Sequence, residues 1–359
     1  MILKEIKTIN YRNLIDNDYF FNEKVNIFIG NNGHGKTNLL EAIYLLSLTK
    51  SFKTNKFNDI SQLNAGNHFN ISGEIVKFNR DYFIDIHYQN NKKEFIVNNN
   101  KASKFKDVLG LLNVVLFVPE DLLILKLSPS LRRKLMDIEL SKLDHSYLSD
   151  LSSYYQVLKQ RNLFLKDKVE DSIFLDTTNS LLEEYGIKII NKRQSFLNDL
   201  SLLVKDIYKI ISNSEDDIEI VYQPSLSVDT YASSLKESES RDKILGHTNY
   251  GIHKDDFKVL LNKKDASIYA SQGEQRTIVL SIKLGIVDYI YKQTNDYPIL
   301  LLDDVLSELD DSRQANLINY INKEIQTFIT STSLNQIDDI LLKEATIFDV
   351  NKGIIERRD

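Results

Sequence analysis

The stretch VNIFIGNNGHGKTNLLEAIYLLSL, Val25 to Leu48, decides the fold. At its centre GNNGHGKT, Gly30 to Thr37, fits the pattern G-x-x-x-x-G-K-[ST]; a chance fit in a chain of this length has odds of roughly 1% at average residue frequencies. The flanks agree with the pattern. VNIFIG reads as a short apolar strand running into the glycine-rich turn, and an amphipathic helix is expected from about Lys36. Glycines let such a loop wrap tightly with its N–H groups turned inward. The helix that follows adds roughly half a positive charge at its N-terminus. Gly30, Asn31, Asn32, Gly33, His34, Gly35, Lys36 and Thr37 are therefore expected to grip the phosphates of ATP. Lys36 would reach the β- and γ-phosphates, and Thr37 would hold Mg²⁺ through its hydroxyl. His34 occupies a free position of the pattern and is read as incidental.

Such a grip needs carboxylates, and PILLLDDV (Pro298 to Val305) offers two at the end of a near-continuous apolar run typical of a buried parallel strand. Asp303 is expected to hold Mg²⁺ through water. Asp304, expected on the other face of the strand, is the candidate for polarising the attacking water.

A second motif, SQGEQRT (Ser271 to Thr277), has no use in a simple phosphate-loop protein. It is similar to the Ser-Gly signature of ABC-type ATPases, which caps the γ-phosphate of ATP bound to another subunit. On that likeness Ser271 would donate its hydroxyl, Gly273 its N–H, and the helix from Glu274 its dipole. ATP would be held between two copies of the chain facing head to tail. Ser307 to Arg313 would cross the interface, and Thr330 or Thr332 would stand where such folds keep a γ-phosphate sensor.

Around these motifs the chain alternates between two textures. Ile2 to Ile9 and three runs within Phe69 to Asn99 alternate like strands of an antiparallel meander, and NVVLFV (Asn113 to Val118) is a buried strand. From Glu120 to about Ser240 the period is helical, with seams at Leu148, Leu151, Tyr155 and Leu158 and again from Leu182 to Ile210. DSIFLDTTN, Asp171 to Asn179, is expected to reverse the chain between them, and SSLKESESRDK, Ser233 to Lys243, to be a mobile connection. GIHKDDFKVLL, QTFITST and ATIFDV read as further strands. The fold class is thus α/β: a discontinuous ATPase domain at 1–119 and 245–359, with a mostly helical domain at 120–244 inserted.

Composition sets outer limits. The 359 residues are 42% hydrophobic and 27% charged, ordinary for a globular protein with a real core. There is no Cys, which removes disulfides and thiolate metal sites. No apolar run approaches the ~20 residues of a membrane helix, so a cytoplasmic protein with no membrane partner is expected. A net charge of −6 does not advertise nucleic-acid binding, but charges beyond about 8 Å are screened, and a local basic face would suffice.

Together the motifs resemble the RecF family of bacterial recombinational repair proteins, essentially end to end. The resemblance is carried by YRNL (Tyr11 to Leu14), the loop and its helix, KSFKT (Lys50 to Thr54), FVPEDLLILKLSPSLRRKLMDIEL (Phe117 to Leu140), GIHKDDF (Gly251 to Phe257), ASQGEQRT and LLLDDVLSELD. It implies an ATPase head of the ABC/SMC type without a long coiled coil. The implied role is ATP-dependent dimerisation on DNA, at junctions of single- and double-stranded DNA in gaps, with slow hydrolysis. The implied partners are RecR and RecO, and through them RecA. The sequence departs from the family pattern at Leu127 (usually Gly), Lys254 (Arg), Glu274 (Gln) and Gln314 (Arg). Candidate DNA contacts are Arg132, Arg133 and Lys134; Lys50, Lys53 and Lys56; and Lys101, Lys104 and Lys106. The alternative reading is an ABC-type nucleotide-binding subunit of a membrane transporter.

Overall fold

The computed structural model describes residues 1–62, 66–102, 105–167, 171–321, 324–334, 337 and 339–358. It divides into two compact units: residues 1–121, 207–214 and 276–359, and residues 122–206 and 215–275.

The first unit holds two sheets. One is antiparallel: β1 (Ile2–Ile9), β2 (Asn17–Phe20), β4 (His68–Lys77), β5 (Arg80–Gln89), β6 (Lys92–Val97) and β7 (Asn100–Lys101), in the order β2-β1-β4-β5-β6-β7. The other is built on β3 (Val25–Ile29). It runs β15-β14-β3-β13-β12-β8, with β8 (Val114–Phe117), β12 (Ile299–Asp303), β13 (Thr327–Ser331), β14 (Ala345–Asn351) and β15 (Ile354–Arg357). All its pairings are parallel except the terminal β14–β15 hairpin. β3, β12 and β13 are buried along their whole length, which is why β3 and β12 read as largely apolar runs instead of alternating ones, while β13 (TFITS) buries hydroxyls as well. Phe28 of β3 stacks on Phe348 with centroids 4.8 Å apart and lies parallel to Phe328 at 6.2 Å, while Phe21 meets all three rings edge-on.

Helix α1 (Lys36–Leu48) contacts strands of both sheets. Leu39, Leu40, Ala42, Ile43, Leu45 and Leu46 are fully buried, so the helix is apolar nearly all round and not amphipathic as expected. Two layers, not one, cover it. Helix α8 (Gln272–Thr294) begins in the second unit, and from Arg276 onward it counts in the first, with α9 (Asp311–Ile321) and α10 (Asp339–Glu344).

The second unit contains α2 (Leu123–Lys126), α3 (Pro129–Leu143), α4 (His145–Lys166), most of α5 (Ser172–Ser212), α6 (Tyr231–Leu245), α7 (Ala266–Tyr269) and a small antiparallel sheet, β9 (Ile218–Gln223), β10 (Asp256–Leu261) and β11 (Lys264–Asp265), in the order β11-β10-β9. The domain reading put 245–275 with the ATPase part. By contact those residues belong here, because β10 pairs with β9 along its full length. Two local readings are corrected. Asp171–Asn179 makes no reversal beyond its first residue, since Ser172 opens α5. The polar Ser233–Lys243 lies inside α6 and is not a mobile connection.

Both corrections have one cause, a buried polar network. Arg161 of α4 is fully buried and donates to Asp242 (2.8 Å), to Thr248 (2.6 Å) and to Asn179 (3.0 Å). A second buried arginine, Arg193 of α5, donates to Asp137 and Asp255, each at 2.8 Å, and to the carbonyl of Ile252. Beside it His253 accepts from Tyr154 at Nδ1 (3.0 Å) and donates from Nε2 to the Thr248 carbonyl (3.1 Å). Burial, with the Lys254 and Arg133 charges nearby, pushes this imidazole down to about 4.

Candidate nucleotide site

The loop that opened the sequence reading lies between the end of β3 and the start of α1. A Cβ on Gly30 would sit 2.2 Å from the Val350 carbonyl oxygen, so only glycine fits that close approach. Gly33 (φ 81°) and Gly35 (φ 117°) take left-handed conformations that curl the chain. Asn31, Asn32 and Gly33 form the exposed crest and His34 is half-buried. Lys36 is buried, and its Nζ donates into the curl, to the carbonyls of Gly30 (2.6 Å) and Asn31 (3.2 Å). The ammonium thus stands where a phosphate oxygen could replace those carbonyls.

The curl is held from outside by residues the sequence reading had not singled out. Asn13 Nδ2 donates to the Gly33 carbonyl (3.1 Å), and Asn38 Nδ2 donates to Asn13 Oδ1 (2.7 Å). Gly353 N–H donates to the His34 carbonyl (2.8 Å). Arg12 makes a two-pronged pair with Glu41 (2.8 and 2.6 Å), whose carboxylate is fully buried in α1 and also accepts from Ser51. Lys53 Nζ donates to Asn38 (2.8 Å), which takes that lysine into the frame of the loop. YRNL and KSFKT, quoted above only for resemblance, are this frame.

The carboxylates arrive from β12. Thr37 Oγ1 donates to Asp303 Oδ1 at 3.0 Å, and Thr330 Oγ1 of the neighbouring β13 donates to the same oxygen at 2.7 Å. Burial raises the pKa of Asp303, the two hydroxyl bonds oppose that, and the neighbouring Asp304 charge adds to it. Asp304 is not on the opposite strand face, as strict alternation implied. The strand ends at Asp303, and Asp304 turns to φ 53° because its N–H donates to Thr330 Oγ1 (2.9 Å). Thr330 is therefore committed to both aspartates, whereas Thr332 is exposed.

A hydroxyl and a buried carboxylate make an all-oxygen donor pair, which suits Mg²⁺, and a dication there would relieve the raised pKa of Asp303. Among the described residues no three His, Cys, Asp or Glu side chains converge as a metal cage. Thr37 and Asp303 could hold Mg²⁺ only in company with phosphate oxygens and water, the usual way this ion is bound.

The second motif lies at the N-terminus of α8. Ser271 and Glu274 cap each other: Ser271 N–H donates to Glu274 Oε2 (2.6 Å), and Glu274 N–H donates to Ser271 Oγ (3.3 Å). The carboxylate that departs from the family pattern is thus folded back on its own helix, and the Ser271 hydroxyl keeps its proton for an outside acceptor. Ser271 is exposed and Gly273 half-buried. In the first unit, Arg276 donates to the Glu308 carbonyl (3.3 Å). Gln314 donates to the Leu306 (2.6 Å) and Leu309 (3.2 Å) carbonyls, so an amide shapes the turn after Asp304 where the family usually has arginine. Leu127 has φ −100°, a conformation leucine adopts without strain.

Of the basic candidates, Arg132 is bound two-pronged to Asp256 (2.6 and 2.9 Å) and Arg133 to the Asp255 carbonyl (2.7 Å). Both brace the second unit. Lys101 pairs with Glu94, and Lys104 lies outside the described residues. Lys50, Lys56, Lys106 and Lys134 are exposed.

The family described as RecF/RecN/SMC N terminal domain matches residues 2–356. The DNA replication and repair protein RecF of Bacillus thuringiensis (strain Al Hakam) is 39% identical, over 99% of this chain and 98% of that protein. The chain belongs to the RecF family. RecF of Bacillus cereus (strain B4264) is equally similar. Among solved structures, the recombination mediator protein RecF-ATP in the RecFOR pathway is similar at a TM-score of 0.91, with 34% identity over 100% of this chain and 98% of that one; the RecF-ATPrS form gives 0.90. An Smc head bound to the C-winged helix domain of ScpA shares the fold at a TM-score of 0.59 and 14% identity. The RecF fold is thus that of an SMC-type ATPase head. Among the described residues there is no long coiled coil, and no helix is long and apolar enough to cross a membrane.

Proposed function

We propose that this chain is an ATP-gated DNA clamp of recombinational repair and replication restart. One observation carries the reading: the Thr37–Asp303–Thr330 cluster closes the phosphate loop of a chain similar over its full length to a RecF solved with ATP. Lys36 exchanges its two carbonyl acceptors for the β- and γ-phosphates, while the loop N–H groups from Asn31 to Thr37 donate to phosphate oxygens. Thr37 and Asp303 would hold Mg²⁺, which when bound would offset charge on the triphosphate. Ser271 and Gly273 of a second copy seal the exposed end. Two ATP molecules then join two chains head to tail, with DNA held at single/double-strand junctions of gaps. Asp304 accepts a proton from the attacking water; hydrolysis is slow, stimulated by DNA, and resets the clamp. RecO and RecR assist, and RecA is loaded. Lys50, Lys56, Lys106 and Lys134 are the exposed basic residues that would meet DNA phosphates, and DNA affinity is then steeply salt-dependent. The match of the whole chain to the RecF/RecN/SMC family leaves the transporter-subunit reading without a supporting observation.

The test mixes two inactive variants. Lys36→Ala removes the cation of the loop, and Ser271→Arg blocks the seal. A mixed dimer regains one composite site, so ATPase activity reappears only in the mixture. A mixture as inactive as its parts sinks the reading.

A further inference from the structure

Immediately before the Ser271 cap lies α7, a single turn that is held unusually firmly. Asp265 caps it, accepting from the Ser267 N–H (2.9 Å) and hydroxyl (2.6 Å), and Ala266 is fully buried beneath it. From the first turn of α8 the buried Gln275 amide donates to the carbonyls of Ala266 (3.2 Å), Ser267 (3.4 Å) and Ala270 (3.1 Å). The turn so clamped presents two large side chains to water: Ile268 is 71% and Tyr269 68% exposed. Lys264 Nζ lies 5.9 Å from the Tyr269 ring centroid and gives the pair a charged rim.

Scattered exposed apolar residues are normal on a protein surface. This pair is set apart by the hydrogen-bonded turn that carries it and by its place. A tyrosine contributes large contact area with only two side-chain torsions to fix, which makes it a typical anchor of an interface. The pair lies two and three residues before Ser271, the group that, in the function proposed above, meets a second copy of this chain. A stable specific dimer buries roughly 1,200–2,000 Å². Ser271 and the backbone at the start of α8 are small and polar and cannot supply much of that.

We infer that Ile268 and Tyr269 form an apolar anchor which, in the ATP-bound dimer, is covered by the second copy of the chain beside the nucleotide, with Gln275 as the residue that positions it. The inference rests on the head-to-tail dimer reading. The nucleotide then supplies polar contacts at the centre, and the anchor supplies the water-excluding area at their edge. Because the dimer is two-fold symmetric, the anchor contact occurs twice, once from each chain.

The absence of cysteine makes the test clean, because Ile268→Cys places the only thiol of the chain on the anchor. Maleimide labelling of that thiol is followed with and without ATP, alongside particle mass by light scattering. The expected result is doubled mass with ATP and labelling slowed about tenfold or more. Ile268→Ser/Tyr269→Ser, with monomer ATP affinity unchanged, should then need about 100-fold more protein to dimerise. If mass doubles while labelling stays fast, or the double variant dimerises like the parent, the anchor is wrong and the dimer stands. Should the parent never double in mass at saturating ATP, both readings fall. A double variant that fails to fold leaves the labelling result to decide.

Discussion

The phosphate loop and the Ser271 turn both stand at helix N-termini, yet they are built in opposite ways. The loop is a closed cradle: glycines at Gly30, Gly33 and Gly35, a buried lysine, and a frame of Asn13, Asn38, Arg12 and Glu41. The turn is open. It satisfies its own helix end through the Ser271–Glu274 exchange and shows the remaining hydroxyl proton to solvent. A cradle that surrounds its ligand can bind alone. A turn that offers one face needs something else to hold the ligand against it. On the function proposed above, the difference assigns affinity to the first region and conditional assembly to the second.

The sharpest way to break this division is Lys36→Ala. It deletes a charge-assisted donor, so ATP affinity of the monomer should fall about 100-fold or more, whereas Ser271→Arg should leave it unchanged. Nucleotide titration of the two monomers separates them, and equal losses would end the distinction.

Thr330→Val comes next. It removes the donor to Asp303 and strands the Asp304 N–H, a cost of about 1–3 kcal/mol in a buried setting. Single-turnover hydrolysis should slow by about 10- to 100-fold, with ATP affinity changed far less, because binding belongs to the cradle and turnover to the aspartates.

A smaller effect sharpens the contrast from the side of the second unit. His253 is held down to about 4 against an ordinary value near 6.5, so between those pH values the unfolded chain binds a proton that the folded one refuses. Stability should therefore fall by about 2 kcal/mol between pH 7 and pH 5, and His253→Gln should flatten the dependence. Urea unfolding at pH 7 and pH 5 measures it. A parent whose stability does not change with pH would mean that His253 is not held neutral.

The smallest is Glu274→Gln. An amide can keep the cap, so the melting temperature should barely move. Removing a negative charge beside the expected γ-phosphate should tighten the ATP-dependent dimer several-fold, measured by sedimentation. An unchanged dimer would place the carboxylate away from the nucleotide.

How much of this was legible in the sequence follows the same division. Gly30 to Thr37 and Asp303–Asp304 could be read because their chemistry is local: a turn demands glycine, and a strand end demands an apolar run before it. Asn13, Glu41 and Gly353 could not, since each acts on residues brought near only by the fold. Helix α6 was misread for a subtler reason. Its buried residues, Tyr231, Leu235, Ser238 and Asp242, keep a helical spacing, but two of the four are polar. Asp242 is inside because Arg161 is, and a search for apolar periodicity cannot see a stripe whose members answer a buried cation. The start of α5 hid in the same way behind Thr178 and Asn179.

Strand β3, which leads into the loop, has both its neighbours, β13 and β14, from far downstream in the chain. On the ribosome this apolar strand emerges early and then waits, with both edges bare, until Thr327 to Asn351 have been made. Until then it is a sticky ribbon with no register to settle into, and the nascent polypeptide cannot engage nucleotide. Newly made molecules should accordingly lean on holding chaperones, and prematurely terminated products should be cleared as aggregates.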